Sequence, residues 1–412
     1  MTGMDHLQSR LPDIAEAALA GKRVLIRADL NVPMDKGRVT DATRIERFAP
    51  TVRALIDRGA SVVIMTHLGR PKGEPNPQYS TRALVPELTR ALGTDVRFVP
   101  DCVGEIAESI TGNMAAGEVA LLENLRFHAG ETANSRTFAM RLAVNGDLYV
   151  NDAFSCAHRA HASTHAITSV LPSYAGSSLL AEVAALRSAL DTPRKPVAAL
   201  VGGAKVSTKI PVLKNLVGKV DHLIIGGGMA NTFLAALGCP MGKSLHEPDC
   251  IPLARDIMAA AEAAGCRIVL PQDLVVAESF AAHAPSRVVD IHAVPSDMMA
   301  LDVGDASTNA LVSLLCTCRT LLWNGPLGAF EIEPFGKATF TVARSAAELT
   351  EAGTLTTVAG GGDTVAALNA AGVTGSFSYV STAGGAFLEW IEGKELPGIA
   401  ALMTTDRTRE IA

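Results

Sequence analysis

The stretch from Val201 to Lys209, Val-Gly-Gly-Ala-Lys-Val-Ser-Thr-Lys, combines residue types that bind phosphate groups. It follows the apolar run Val197–Val201, which is typical of a buried parallel strand. Its two glycines allow a tight turn that brings the backbone close to a ligand. Lys205 and Lys209 are four residues apart, and this spacing predicts that both ammonium groups lie on one face of a helix. A strand, a glycine turn and paired cations together indicate a phosphate site.

Two common nucleotide motifs do not fit this chain. A P-loop has glycine directly before its lysine and Ser or Thr after it, whereas Lys209 follows Thr208 and precedes Ile210. Gly226-Gly-Gly-Met229 lacks the G-x-G-x-x-G spacing of dinucleotide-binding proteins. A nicotinamide-linked dehydrogenase is therefore disfavoured. A non-catalytic protein that binds a nucleotide or a phosphosugar remains a second alternative.

The elements that position these residues alternate along the chain. Short β-branched runs such as Arg23–Ile26 and Ser61–Met65 predict strands, and longer amphipathic segments such as Arg44–Arg58, Thr81–Leu92 and Ile251–Ala264 predict helices. This alternation predicts an α/β fold with parallel sheets that are flanked by helices. In open α/β sheets, ligands bind at the carboxyl ends of the strands.

The segments that follow the predicted strands differ between the two halves of the chain. Those of the first half are rich in Arg, Asn, Asp and His: Arg27-Ala-Asp-Leu-Asn31, Thr66-His-Leu-Gly-Arg-Pro71 and Glu123-Asn-Leu-Arg126. Those of the second half are rich in glycine: Gly202-Gly-Ala-Lys205, Asn324-Gly-Pro-Leu-Gly328 and Gly360-Gly-Gly-Asp-Thr364. Because arginine binds phosphates and carboxylates in pairs of hydrogen bonds, the first half suits a small anion. The glycine loops of the second half suit a nucleotide, because its phosphates need close approach of the backbone. Asp363 is then a candidate ligand of Mg²⁺, and Glu331 is a candidate acceptor for the ribose hydroxyls.

Length and composition limit the protein class. A chain of 412 residues is longer than a domain with a single hydrophobic core ordinarily is, so its length favours two domains. The net charge of −6 speaks against nucleic acid as the main partner. We expect no transmembrane helix and no secretory signal, and hence a cytoplasmic location. Metal sites at Cys316 and Cys318, or at the histidines of 158–165, are disfavoured; the seven cysteines are expected to be mostly buried apolar residues.

Nine motifs, in order along nearly the whole chain, closely resemble the phosphoglycerate kinase family. They are Asp-Leu-Asn-Val-Pro (29–33), His-Leu-Gly-Arg-Pro (67–71), Glu-Asn-Leu-Arg-Phe (123–127), Asn-Asp-Ala-Phe (151–154), Ala-His-Arg-Ala-His (157–161), Gly-Gly-Ala-Lys-Val (202–206), Gly-Gly-Gly-Met-Ala (226–230), Trp-Asn-Gly-Pro-Leu-Gly (323–328) and Gly-Gly-Gly-Asp-Thr (360–364). One such motif is a weak signal, whereas nine collinear motifs are specific.

The resemblance implies two Rossmann-like domains joined by a hinge helix. A phosphoglycerate-binding domain is expected over 1–181, a hinge helix and linker over 182–195, and a nucleotide-binding domain over 196–391. The tail 392–412 is expected to pack back on the first domain. The implied reaction is reversible transfer of the acyl phosphate of 1,3-bisphosphoglycerate to MgADP, which gives 3-phosphoglycerate and ATP. A monomer is also implied.

The resemblance also implies roles for individual residues. The implied phosphoglycerate ligands are Asp29, Leu30, Asn31, Arg44, His67, Leu68, Gly69, Arg70, Arg126 and Arg159. The implied nucleotide ligands are Lys209, Glu331, Gly361, Gly362, Asp363 and Thr364, with Asp363 on Mg²⁺. The implied contacts to the transferring phosphoryl group are Arg44, Lys205 and Lys209. One departure from the family pattern is Ser155-Cys156, where Gly-Thr is common.

Overall fold

The computed structural model describes residues 10–409 of the chain, which forms two compact units. The first unit extends to Val183 and includes the segment from Glu395 onward, and the second comprises Ala184–Lys394. The change from one unit to the other falls inside a single helix, Ser177–Leu190. The predicted first domain and tail also include residues 1–9 and 410–412, which lie outside the described residues.

The first unit contains a six-stranded parallel sheet and a two-stranded hairpin. In chain order its elements are β1 (Arg23–Arg27), β2 (Met34–Asp35), β3 (Arg38–Val39), α1 (Thr43–Asp57), β4 (Ser61–Met65), α2 (Val85–Leu92), β5 (Val96–Val99), α3 (Glu105–Gly112), β6 (Val119–Leu122), α4 (Ala129–Thr132), α5 (Arg136–Ala143), β7 (Leu148–Asn151), β8 (Ser173–Ala175) and the start of α6 (Ser177–Leu190). The large sheet has the order β5-β6-β4-β1-β7-β8, with every pair of neighbours parallel. Strand β4 is buried along its whole length, which explains its continuous apolar sequence.

The second unit contains another six-stranded parallel sheet and a three-stranded antiparallel sheet. Its elements are β9 (Val197–Val201), α7 (Ile210–Val217), β10 (His222–Ile225), α8 (Gly228–Ala236), α9 (Ile251–Ala264), β11 (Arg267–Val269), β12 (Asp273–Ala277), β13 (Ser286–Asp290), β14 (Met299–Val303), α10 (Asp305–Thr317), β15 (Thr320–Asn324), α11 (Lys337–Glu351), β16 (Thr356–Gly360), α12 (Gly362–Ala371), β17 (Tyr379–Ser381) and α13 (Gly384–Ile391). The parallel sheet has the order β11-β10-β9-β15-β16-β17, and the antiparallel sheet has the order β13-β12-β14.

The last helix, α14 (Pro397–Arg409), belongs to the first unit. Its attachment begins at Gly398, whose amide donates to the Ala157 carbonyl at 2.9 Å. The Gly398 carbonyl accepts a hydrogen bond from Asn151 Nδ2 at 3.4 Å. The chain therefore leaves the first unit through α6 and returns to it by these two hydrogen bonds of Gly398.

The α/β class with parallel sheets and flanking helices is confirmed, but two local predictions need correction. The two lysines of the opening motif do not share a helix face: Lys205 is extended, Val206–Thr208 form a 3-10 turn, and α7 begins only at Ile210. A proline in the first turn of α7 marks this start, because proline lacks the amide that a helix interior needs. The segment Thr81–Leu92, predicted as one helix, is a 3-10 turn followed by α2.

Among residues 10–409, none of the helices combines the length and the apolar sequence needed to cross a lipid bilayer.

Candidate functional site

In the first unit, the parallel register brings the carboxyl ends of β1, β4 and β6 to one edge of the sheet. The polar segments that follow these strands meet there, as the sequence predicted. We call the result the arginine cluster; it consists of Asp29, Asn31, Arg44, His67, Gly69 and Arg126.

Hydrogen bonds join the members of the arginine cluster. Arg44 Nη1 donates to Asp29 Oδ2 at 2.5 Å and to the Asn31 carbonyl at 3.2 Å. The Asn31 side chain accepts from the Gly69 amide at 2.8 Å, and Arg126 Nη1 donates to the Gly69 carbonyl at 2.9 Å. Three loops that are remote in sequence are thereby fixed to one another.

The remaining predicted ligands of the first unit lie around this cluster in different environments. Leu30 and Leu68 have buried side chains in the core, so only their backbone groups are available to a ligand. Arg70 is exposed on the loop after β4. Arg159 is also exposed, and its charge contributes to lowering the pKa of Arg126, after burial and the charge of Arg27.

A buried polar network lies next to the arginine cluster. Arg27, fully buried at the end of β1, donates through Nε to Ser163 Oγ at 2.9 Å. Ser163 Oγ donates in turn to Glu131 Oε1 at 2.6 Å, and the Ser163 amide donates to Glu131 Oε2 at 3.0 Å. Glu131 has no exposed surface. A buried cation and a buried carboxylate are therefore linked through one serine, which accepts from the first and donates to the second.

This network determines the state of His67. Arg27 Nη2 lies 3.0 Å from His67 Nδ1, and a guanidinium has only donors, so Nδ1 accepts and the ring proton lies on Nε2. Burial, followed by the charges of Arg27, Arg126 and Arg44, holds the pKa of His67 well below its usual value. His67 is thus a neutral hydrogen-bond donor among arginines.

Sequence reasoning assigned no role to Arg27, Glu131 or Ser163. The one local signal was Arg27 itself, a charge directly after the apolar residues 24–26 of β1. Glu131 and Ser163 carry no local signal, because they are more than thirty positions apart from each other and further still from Arg27.

In the second unit, the carboxyl ends of β9, β15 and β16 are neighbours in the parallel sheet. Lys209 Nζ donates to Asn324 Oδ1 at 2.5 Å, and Asn324 Nδ2 donates to the Gly360 carbonyl at 2.7 Å. Thr364 is buried, and its hydroxyl accepts from the Gly325 amide at 2.7 Å. The glycine loops after the three strands are therefore tied together by Asn324 and Thr364.

Two glycines of these loops are required by the geometry. Gly361 has φ +100°, a conformation that side chains disfavour, and a Cβ there would lie 2.6 Å from Asn324 Nδ2. A Cβ at Gly202 would lie 1.9 Å from the Pro326 carbonyl oxygen. Backbone from two strand ends thus approaches closely at this edge of the sheet.

A cavity of about 480 Å³ opens beside the glycine loops, within the size range of small-molecule sites. Its lining includes the predicted residues Glu331 and Asp363, together with Gly203, Gly227 and Gly228. The predictions missed the apolar side of the cavity, formed by Leu245, Phe280 and Leu301. Leu301 lies on β14, and Phe280 lies in the β12–β13 connection of the antiparallel sheet, which the sequence did not predict.

The charged groups of this site suit a metal ion that binds together with the phosphate groups of a ligand. Burial lowers the pKa of Lys209, and the charges of Asp363 and Glu392 oppose that shift. Asp363 is exposed in the first turn of α12, and it belongs to neither cluster of potential metal ligands found among the described residues. A single carboxylate fits Mg²⁺, which takes most of its ligands from water and substrate phosphates. Lys205 is exposed.

Comparisons with known proteins agree with this geometry. A family model described as phosphoglycerate kinase matches residues 14–394. The phosphoglycerate kinases of Rhizorhabdus wittichii and Sphingopyxis alaskensis are 58% and 59% identical over 392 residues, which is 95% of this chain and 98% of each relative. The structure of phosphoglycerate kinase from Coxiella burnetii superposes with a TM-score of 0.90 at 41% identity, and the match covers 96% of this chain and 99% of the Coxiella chain. The structure of phosphoglycerate kinase from Pyrococcus horikoshii superposes with a TM-score of 0.81 at 29% identity, and the match covers 96% of this chain and 100% of the Pyrococcus chain. This chain belongs to the phosphoglycerate kinase family.

Proposed function

We propose that the two sites divide the phosphoglycerate kinase reaction between them, with phosphoglycerate at the arginine cluster and nucleotide at the glycine loops. The family transfers the acyl phosphate of 1,3-bisphosphoglycerate reversibly to MgADP, in glycolysis and gluconeogenesis. In this step an oxygen of the ADP β-phosphate bonds to the transferring phosphorus, the bond from phosphorus to the carboxyl oxygen breaks, and 3-phosphoglycerate leaves as the carboxylate. In the reverse direction, the phosphoryl group of ATP is transferred to the carboxyl group of 3-phosphoglycerate. The enzyme is thus a phosphotransferase with a carboxyl group as acceptor.

The observation that carries the assignment is the different chemistry of the two sites. The arginine cluster offers fixed cationic donors and a neutral imidazole donor, which suit a small ligand with a phosphate and a carboxylate. We assign the ligand hydroxyl to Asp29 and Asn31, whose side chains also hold Arg44 and the Gly69 amide. Arg70 and Arg159 are exposed and complete the set of guanidinium groups that a doubly anionic ligand requires.

The second site offers what a nucleotide needs. The apolar side of the cavity suits a base, Glu331 suits the ribose hydroxyls, and the loop Gly361–Thr364 at the start of α12 suits phosphate oxygens. Asp363 is the residue that would hold Mg²⁺ together with the nucleotide, and the ion would supply positive charge to the phosphate groups. Lys205 and Lys209, with Arg44 from the other site, then neutralise charge on the transferring phosphoryl group.

Phosphoryl transfer depends mainly on positioning and on cations around the phosphoryl oxygens. We infer that closure about α6 aligns the two ligands and excludes water that would hydrolyse the acyl phosphate. Small-angle X-ray scattering tests this: the radius of gyration should decrease when both substrates are present together. A profile unchanged by both substrates would contradict closure.

A coupled assay tests the assignment as a whole. ATP, 3-phosphoglycerate and Mg²⁺ are supplied, and product is consumed by glyceraldehyde-3-phosphate dehydrogenase with loss of NADH. We expect Lys209→Ala to lower kcat by roughly 100-fold or more, because a preorganised cation at the transferring group is lost. The matched control is Lys214→Ala, an exposed lysine on α7, which should retain the parent kcat. A parent protein without turnover, or a fully active Lys209→Ala, would favour the non-catalytic binding alternative.

The cellular location follows from the same assignment. We place the protein in the cytoplasm, because the substrates of glycolysis are there, and we expect a monomer, which is consistent with the family. Activity in a membrane or periplasmic fraction, with none in the cytosolic fraction, would contradict this location.

A further inference from the structure

Glu247 contacts the turn that carries the two lysines, which we call the lysine turn (Lys205–Lys209). Glu247 Oε1 accepts from Ser207 Oγ at 2.6 Å, and Glu247 Oε2 accepts from the Ser207 amide at 3.0 Å. The pKa of Glu247 lies below its usual value, because hydrogen bonds from Ser207 and from the Val206 amide outweigh the effect of burial. One carboxylate thus accepts both the hydroxyl and the amide of Ser207, at the centre of the lysine turn.

The lysine turn needs such a partner. Its 3-10 segment, Val206–Thr208, receives no capping hydrogen bond from the side chain of Lys205, which precedes it. The first amides of a short helical turn have no partner within the turn itself. A carboxylate that accepts these amides acts as a cap supplied from another part of the chain.

The segment that carries Glu247 is itself anchored beside the nucleotide cavity. The Glu247 amide donates to Thr232 Oγ1 on α8 at 3.0 Å, and the Leu245 carbonyl accepts from Asn231 Nδ2 at 3.0 Å. Leu245 and Asn231 both line the cavity. The lysine turn is therefore joined to the cavity wall through two residues of one short segment.

We propose that Glu247 is a positioning residue for phosphoryl transfer: it holds Ser207, fixes the lysine turn and couples the position of that turn to the wall of the nucleotide cavity. Glu247 acts through Lys205 and Lys209 and does not touch the substrate. The inference rests on the proposed function, in which these lysines neutralise the transferring group.

The test compares Glu247→Gln with Asp249→Asn in the coupled assay. Asp249 is an exposed carboxylate in the same segment, so the control removes the same charge from nearly the same place. We expect Glu247→Gln to lower kcat roughly tenfold while KM for 3-phosphoglycerate changes by less than about twofold, because lysine placement is disturbed and the arginine cluster is intact. Asp249→Asn should retain the parent values.

Two further measurements separate positioning from general stability. Hydrogen exchange of the amides in Val206–Thr208 should accelerate in Glu247→Gln and not in Asp249→Asn. Ser207→Thr keeps the hydroxyl and should retain the parent kcat, whereas Ser207→Ala should lower it. The proposal is wrong if Glu247→Gln matches Asp249→Asn in kcat and amide exchange, or if it raises KM for both substrates while kcat is unchanged.

The proposed function and this inference fail in different ways. A Lys209→Ala variant with the parent kcat would overturn the proposed function. A Lys209→Ala variant that loses turnover, together with a fully active Glu247→Gln, would overturn only the role of Glu247.

Discussion

The two sites of this protein present anion-binding groups by different means. In the first unit the donors are side chains, and they are held by a buried network of Arg27, Ser163 and Glu131. In the second unit the loops after the strands are rich in glycine and expose their backbone, and they approach so closely that Gly202 and Gly361 have no room for a side chain. The first site therefore depends on opposite buried charges, those of Arg27 and Glu131, that balance each other. The second site depends on the absence of side-chain atoms where its loops meet.

This difference predicts opposite sensitivities to substitution. Removing a charge should damage the first site most, whereas adding a methyl group should damage the second site most.

Glu131→Gln should have the largest effect on stability. It removes the buried carboxylate next to Arg27, so that Asp29 is the carboxylate that remains nearby, and it gives the two Ser163 donors only one acceptor oxygen. We expect the free energy of unfolding of the first unit to fall by about 3–5 kcal/mol, as when one partner of a buried pair is removed. Urea unfolding followed by far-UV circular dichroism measures it.

The control is Glu46→Gln, which removes a carboxylate from an exposed pair with Arg90. We expect a change within about 1 kcal/mol there, as is typical of surface pairs. Equal effects of the two substitutions would remove the contrast between the buried network and the surface.

Gly202→Ala should destabilise the second unit by about 3 kcal/mol, because its Cβ would overlap the Pro326 carbonyl and the backbone must move. Tryptophan fluorescence in urea reports this unit selectively, since Trp323 and Trp390 are the only two tryptophans of the chain and both lie in it. Gly218→Ala is the control: its Cβ meets no atom within 4 Å. A stable Gly202→Ala variant would show that close backbone approach is not essential.

Acid should destabilise the first unit through its histidines. Burial, followed by the charges of nearby arginines, lowers the pKa of His161 to about 4, and the pKa of His67 is also well below 6.5. The unfolded chain then binds protons that the native state does not bind. The free energy of unfolding should therefore fall as the pH decreases from about 6.5 towards about 4.

His161→Gln should reduce this dependence, and His283→Gln, at an exposed position of the second unit, should not. Unfolding measured at several pH values gives the slopes. If the free energy of unfolding of the parent protein does not change between pH 6.5 and pH 4, the prediction of lowered histidine pKa values is wrong.

Ser155→Gly should have the smallest effect. The Ser155 hydroxyl donates to Asp29 Oδ2, the oxygen that also accepts from Arg44. Without the hydroxyl, Asp29 should hold Arg44 more tightly, so we expect KM for 3-phosphoglycerate to rise by about threefold, with little change in kcat. Steady-state kinetics measure it, and Ser155→Thr keeps the hydroxyl as a control. A KM that falls would show that Ser155 competes with the ligand.

The predictions from sequence succeeded where local pattern is sufficient. Continuous apolar runs located the central strands of both parallel sheets, because a strand that is buried on both faces has few polar positions, but they did not reveal the edge strands β5, β8 and β17. Polar and glycine-rich segments after the central strands supplied the candidate residues of both sites, because parallel strands deliver their carboxyl ends to one edge, and the binding roles of those residues stay predictions. The prediction for Lys205 and Lys209 failed, because spacing alone cannot tell a helix from a 3-10 turn that ends at a proline-marked helix start.

The amino-acid sequence is sufficient to assign the α/β class and the family, and it supplies the strand-end residues of both sites. How those residues are held depends on contacts that form only in the folded chain. Arg27 meets Ser163 across 136 positions, and Lys209 meets Asn324 across 115. Glu247 meets Ser207 across 40 positions. Contacts of this kind depend on how remote loops pack and on where each side chain ends. No local sequence pattern contains this information, so the supporting residues can be identified only from the folded chain.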